Sequence, residues 1–260
     1  MTIAGSDSGA GAGMQADLKT FAALGVFGTS AITAITAQNT TGVTDVLELP
    51  TSLIESQIDA IVSDIGTDAV KTGMLSSYEI INTVAERISH YEFARVVIDP
   101  VMVATTGNRL LREDAEDVLR TLLVPMATVV TPNSREASVL TGQAVTTVED
   151  LKTAARFLVH EVGAQNAVVK GGHLDGPATD VLYDGSEFWT FTSERIDTTS
   201  THGTGCTLAS AIAAGLAKGL DVPDSVKAAK DYVTTAIRKS YPVGRGHGPV
   251  NHFHELWGGE

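Results

Sequence analysis

Residues 52–71 read SLIESQIDAIVSDIGTDAVK, and the fold can be worked out from this stretch. Leu53, Ile54, Gln57, Ile58, Ile61 and Ile65 recur at helical spacing, which predicts a helix over 52–64 with a core-facing stripe. A short β-rich run at 69–71 follows. The same rhythm extends in both directions. Further strands are predicted at 2–4, 29–37, 95–99, 128–131 and 167–170, and further helices at 14–24, 77–89, 112–123 and 147–162. Strands alternating with helices imply right-handed crossovers and a mostly parallel sheet covered on both faces. Ligand chemistry is then expected at the carboxyl ends of the strands. Residues 180–191 read as a hairpin turning at Asp184-Gly185, followed by helices at 205–219 and 224–241, with Pro223 near the start of the second. No low-complexity linker or internal repeat interrupts the chain, so residues 1–260 are expected to form a single α/β domain.

Composition narrows the function classes. The 260 residues carry a formal net charge of -13, which opposes nucleic acid and anionic lipid as primary partners. An anionic substrate would need local backbone donors and a metal ion against that field. The single cysteine excludes an intramolecular disulfide and a thiolate zinc cage. No apolar run approaches the roughly 20 residues that cross a bilayer, and the N-terminus lacks signal-peptide features. A cytoplasmic protein is expected.

The most informative polar segment is 198–216, TTSTHGTGCTLASAIAAGL, a glycine-containing turn leading into an alanine-rich helix. Backbone N–H groups from Gly203 through Thr204 and Gly205 to Cys206 are expected as free donors at the positive end of the helix dipole, a place for phosphate. Cys206 falls in the first turn, where a helix N-terminus lowers a thiol pKa and general-base catalysis becomes available. A buried small hydrophobe is the plainer reading of a lone cysteine.

Other polar groups cluster at strand ends. Asp99 follows VVI, Lys170-Gly171-Gly172-His173 follows AVV, and TPNSRE places Asn133 and Glu136 one turn apart. Each has a bland explanation as a cap or turn. Together they supply oxygens for Mg²⁺ and a cation for phosphate, the parts of a phosphoryl transferase. Near the N-terminus, Gly11–Ala16 formally matches GxGxxA, but a dinucleotide site needs an acid closing the next strand, and that strand ends in Gln38-Asn39. The glycine turn carrying Asp7 is instead read as a substrate-side loop. Gln38 offers a donor and an acceptor side by side, suited to an aminopyrimidine edge or simply to backbone.

The stretches TIAGSDSGAGAGMQADLKTF, ITAQNTTGV, KTGML, VVIDPVM, VTPN..EA, VVKGGH, THGTGCTLASAIAA and GHGPVNHFH stand in one order from Thr2 to His254. In this set the sequence resembles the hydroxymethylpyrimidine and phosphomethylpyrimidine kinases of thiamine biosynthesis, in the ribokinase-like superfamily. The resemblance implies a three-layer α/β/α sandwich and ATP- and Mg²⁺-dependent phosphorylation of 4-amino-5-hydroxymethyl-2-methylpyrimidine, then of its monophosphate. It implies Cys206 as catalytic base, Gly203 and Gly205 in an anion hole, and Gln38 and Met74 at the pyrimidine, with Gly5 and Asp17 on the substrate side. Lys170, Asn133 and Thr204 would serve ATP phosphates, and Glu136 with Asp99 would organise Mg²⁺ indirectly. A homodimer is expected. The first loop reads DSGAGAG where many relatives carry a serine and paired glycines. A pyridoxal or pyridoxine kinase is the alternative within the superfamily, disfavoured by Cys206 and Gln38. A binding protein that kept the fold without catalysis is the alternative outside it. The C-terminal His247, His252 and His254 lack zinc-ligand spacing and are expected to be structural or part of a lid.

Overall fold

A strand covered on both faces reads as an unbroken apolar run, and VVI at 96–98, VV at 129–130 and AVV at 167–169 are such runs. In the computed structural model, which describes residues 1–104 and 107–256, they lie at the centre of one sheet. Its strands are β1 (Thr2–Asp7), β2 (Ser30–Asn39), β3 (Gly42–Glu48), β4 (Val70–Thr72), β5 (Val96–Ile98), β6 (Val129–Val130), β7 (Ala167–Lys170), β8 (Ala178–Tyr183) and β9 (Phe188–Ser193). Their order is β3-β2-β1-β4-β5-β6-β7-β8-β9. The block from β2 to β7 is parallel, while β3 at one edge and β8 and β9 at the other pair antiparallel.

Alternate side chains of these strands feed two cores. Val97, Val129 and Val168 pack with α1 (Gly13–Ala23), α7 (Thr204–Ala217) and α8 (Val222–Arg238). Val96, Ile98, Val130 and Val169 pack on the opposite face. That face is covered by α2 (Thr51–Asp64), α3 (Tyr78–His90), the single turn α4 (Glu116–Val118), α5 (Ser134–Thr141) and α6 (Val148–Phe157). The result is the three-layer α/β/α sandwich expected of a ribokinase-like chain. None of the helices among the described residues is long and apolar enough to cross a membrane.

Three local expectations need correction. The helix expected over 112–123 is a 3₁₀ turn at Glu113–Ala115, then α4, then a π turn at Leu119–Leu123 and a second 3₁₀ turn at Val124–Met126. Pro125 has no N–H to continue a regular ladder, and the uneven winding brings Leu119, Leu123 and Val124 to the core together. Strand β3 was not expected, because its GVTDVLE sits exposed at an edge and lacks apolar alternation. The stripe of α2 is also narrower than its spacing suggests. Ile54 and Ile58 are fully buried, whereas Leu53 and Ile65 face solvent. Gln57 does something different: its carboxamide accepts from the Ile32 N–H (2.9 Å) and donates to the Ile32 carbonyl (3.0 Å). β3 pairs with β2 only from Ala34 onward, so the helix satisfies backbone that the edge strand does not reach.

Candidate active site

The polar groups singled out in the sequence gather at the carboxyl ends of the parallel strands, around the start of α7. Gly203 is the N-cap, with φ +77°. That left-handed conformation favours glycine, and a Cβ there would overlap the Gly11 carbonyl of the first loop. The α7 ladder begins with Thr207 N–H on the Gly203 carbonyl (2.8 Å), which leaves the backbone of Gly205 and Cys206 in the open first turn. The Thr204 hydroxyl (2.7 Å) and backbone N–H (3.3 Å) both donate to Thr201 O, so this residue closes the turn, and its N–H is not among the free donors expected from the sequence.

Cys206 is the third residue of α7. Burial pushes its thiol up to about 11; the nearby Lys71 ammonium opposes this, while Asp99 and Asp17 reinforce it. The expected depression by the helix terminus is therefore overridden. Burial and two carboxylates outweigh the dipole, and the unliganded group is a thiol at neutral pH.

On one side of this turn stands a charged cluster. Lys170 Nζ lies 3.1 Å from Asp99 Oδ1, and both side chains are largely buried. Burial disfavours the Lys170 charge, but Asp99 and Glu136 hold its pKa above the usual value. Thr131 Oγ1 donates to the same Asp99 oxygen (3.3 Å). A Cβ on Gly205 would come within 3.1 Å of Lys170 Nζ, so the glycine lets α7 approach the cluster. Asn133 caps α5: its Oδ1 accepts from the N–H of Arg135 (2.9 Å) and of Glu136 (3.0 Å), and Glu136 Oε2 accepts the Asn133 N–H (2.7 Å). The bland reading of this pair as a capping box is thus realised. It also turns Glu136 toward Lys170 and Asp99. Burial raises the Glu136 carboxyl to about 7, with Lys170 lowering it and Asp99 adding to the rise.

These oxygens bear on the Mg²⁺ expectation. Among the described residues no three His, Cys, Asp or Glu side chains are grouped to hold a metal. One or two hard carboxylates beside phosphate fit a magnesium ion shared with the nucleotide, and do not fit an all-protein cage. Next to them, Arg195 donates to the carbonyls of Gly172 (2.9 Å), Leu174 and Gly176 (2.9 Å) and so pins the loop after β7. Burial lowers the pKa of His173 in that loop, with Arg135, Lys170 and Arg195 contributing. A local cationic patch thus stands on a chain of formal charge -13.

On the other side lie Gln38, Met74 and Gly5. Met74 is buried, and a Cβ on Gly5 would stand 3.0 Å from its sulfur, so Gly5 contributes by seating Met74 against β1. One end of the Gln38 carboxamide is 3.3 Å from His202 Nε2 and the other 3.2 Å from Thr36 Oγ1. His202 Nε2 is in turn 2.9 Å from Asp7 Oδ2.

Asp17 corrects the sequence reading. It is fully buried beneath the site, and its oxygens are taken by Lys71 Nζ (2.9 Å to each), Thr2 Oγ1 (2.6 Å) and Ser210 Oγ (2.7 Å). Its role is to neutralise a buried ammonium, and no oxygen is offered to a substrate. Lys71 went unnoticed in the sequence; burial opposes its charge, yet Asp17, Cys206 and Asp99 raise its pKa. A lysine directly after the apolar pair Ala69-Val70, inside a short strand, was the available signal. Asp7 and His202 were read only as parts of their loops. The C-terminal segment braces α7: His202 N–H donates to Gly248 O (3.0 Å), and His252 Nε2 lies 3.1 Å from Thr207 Oγ1.

Known proteins resemble the chain over nearly its whole length. The family model for phosphomethylpyrimidine kinase matches residues 7–251. A hydroxymethylpyrimidine/phosphomethylpyrimidine kinase from Streptomyces coelicolor is 52% identical over 97% of this chain and 93% of its own. The chain is 51% identical to the thiamine biosynthesis bifunctional protein ThiED of Geobacter sulfurreducens over 97% of its own length, and spans about half (52%) of that longer protein. Among solved structures, an ADP complex of Bacillus subtilis pyridoxal kinase superposes with TM-score 0.90 at 45% identity, covering 96% of each chain. With a family match over nearly its whole length, the chain belongs to the phosphomethylpyrimidine kinases.

Proposed function

We propose that the chain acts as a single kinase domain that transfers the ATP γ-phosphoryl group to 4-amino-5-hydroxymethyl-2-methylpyrimidine and then to its monophosphate. One observation carries this reading. The open first turn of α7 stands between the Gln38–Met74 side, shaped for a small ring, and the Lys170–Asp99–Glu136 cluster, shaped for phosphates. In this division Gln38 reads the ring edge and Met74 packs against it. The N–H groups of Gly205 and Cys206 hold developing phosphoryl charge. Lys170 contacts the phosphates, with Asn133 at their edge. Asp99 and Glu136 would hold Mg²⁺ together with the nucleotide phosphates, and the ion would supply charge neutralisation for the transferred group. Cys206, as a thiolate whose own proton has passed to solvent, takes the hydroxyl proton as the oxygen–phosphorus bond forms and the β,γ-bridging bond of ATP breaks to release ADP. A thiol held up near 11 has little reason to lose its own proton first, so its deprotonation is tied to substrate and nucleotide binding. The protein works as a homodimer in the cytoplasm.

Pyridoxal phosphorylation is the second reading, favoured by the similarity to the Bacillus subtilis pyridoxal kinase. A coupled ADP-release assay with the pyrimidine and pyridoxal side by side separates the two, and a higher kcat/KM for pyridoxal overturns the first. In the same assay Cys206→Ala should lower kcat at least about 100-fold while the pyrimidine Kd changes little. Gln38→Ala should mainly raise that Kd.

A further inference from the structure

Asp7 closes the first loop by accepting four hydrogen bonds. Its Oδ1 takes the Gly9 N–H (2.8 Å), and its Oδ2 takes those of Gly11 (3.0 Å) and Ala12 (2.8 Å) together with His202 Nε2 (2.9 Å). A carboxylate only accepts. The bonds from His202 and the loop hold its pKa below the usual value although burial works against them. His202 Nε2 is therefore the donor in this pair.

That assignment propagates to Gln38. A protonated Nε2 has no lone pair for the amide Nε2 placed 3.3 Å away, so an acceptor fits this end, sharing the hydrogen that Nε2 gives to Asp7 Oδ2. The opposite end faces Thr36 Oγ1, whose single hydrogen goes to the Ser6 carbonyl (2.8 Å), an acceptor-only group. Thr36 thus has only a lone pair left for Gln38, and the amide end beside it must be the donor. As placed, Gln38 Nε2 faces His202 Nε2 and Gln38 Oε1 faces Thr36 Oγ1; exchanging the two amide ends satisfies both contacts, with the carbonyl toward His202 and the NH₂ toward Thr36.

We propose that His202, held by Asp7, is a positioning residue that orients the Gln38 carboxamide and thereby sets the direction in which an aminopyrimidine lies. This rests on the function proposed above. A ligand edge pairing with this amide places its donor on the His202 side and its acceptor on the Thr36 side. In a 4-aminopyrimidine the exocyclic amino group then points to His202 and the ring nitrogen N3 to Thr36. The 5-hydroxymethyl group is adjacent to the amino group, so it falls on the His202 side, where the next residues along the chain are Gly203 to Cys206. The opposite amide orientation would carry the reacting hydroxyl away from that turn.

The test pairs the 4-amino substrate with its 4-oxo analogue, 5-hydroxymethyl-2-methylpyrimidin-4(3H)-one, which presents an N–H donor and a carbonyl acceptor in reversed order. The parent enzyme should favour the amino compound in kcat/KM by at least about 100-fold. His202→Leu should reduce that ratio at least tenfold. Asp7 Oδ2 keeps the Gly11 and Ala12 N–H groups in this variant, so the loop retains its closure. An unchanged ratio overturns the proposal, because a purely structural role lowers both substrates together. Neutron diffraction from crystals of the parent protein without pyrimidine gives a second reading that needs no variant and no turnover. Deuterons of the Gln38 NH₂ directed at Thr36 support the proposal, and deuterons directed at His202 overturn it. If the parent phosphorylates neither pyrimidine, the functional reading fails and the neutron result still decides the orientation.

Discussion

Cys206 and Asp17 show how far a single residue can be read from its neighbours in sequence. HGTGC is local, and the structure puts its cysteine in the first turn of α7 as its spacing implies. Its ionisation was not legible, because burial and the carboxylates of Asp99 and Asp17 come from distant segments. The rate of Cys206 alkylation by a neutral reagent should therefore keep rising from pH 7 to pH 10. At pH 7 the thiolate is roughly one part in ten thousand for a thiol near 11. A plateau below pH 8.5 would show the helix terminus dominating instead. The Asp17–Lys71 pair was hidden for the same reason, since 54 residues separate its partners. Ala10 is a smaller case. It adopts φ +59° in the first loop. An L-residue there costs about 1 kcal/mol, partly offset by the lower unfolded-state entropy of alanine. Ala10→Gly should raise Tm by about 1–2 °C in calorimetry.

Among elements, legibility followed burial. β5, β6 and β7 were readable because both faces are covered and their runs are uniformly apolar. β3 was not, since an edge strand has one flank of partners and a polar surface. In α2 the helical period was correct, but spacing does not distinguish a glutamine that bonds a strand backbone from one that faces solvent. The turn before α7 is where local geometry and packing make the same demand. Gly203→Ala meets both a left-handed backbone and the Gly11 carbonyl. It should cost about 2–4 kcal/mol, seen as a Tm lower by about 5–10 °C, and reduce kcat at least about 100-fold by displacing the Gly205 and Cys206 N–H groups. An alanine variant with unchanged Tm and turnover would show that the first loop yields freely.

At the level of the whole molecule, the α/β/α class and the placement of the site at the strand carboxyl ends were legible from the alternation of elements, and the β8–β9 hairpin turning at Asp184-Gly185 was legible at one edge, while the antiparallel β3 at the other was not. The long crossover from the edge strand β9 returns the chain to α7, which lies over the middle of the sheet on Val97, Val129 and Val168. A chain ending at residue 196 keeps every strand but leaves that face covered by α1 alone. It should show no cooperative calorimetric transition and should bind an apolar dye, whereas a sharp transition would mean the sheet stands on its other layer alone. The late position of α7 also orders events in time. The first loop is made at the outset, but Gly11 waits for Gly203, 192 positions later, before it has a surface to rest on. A chain emerging from the ribosome therefore has no complete place for nucleotide until α7 has been made. Ligand can then stabilise the assembled site without trapping a chain that still lacks α7.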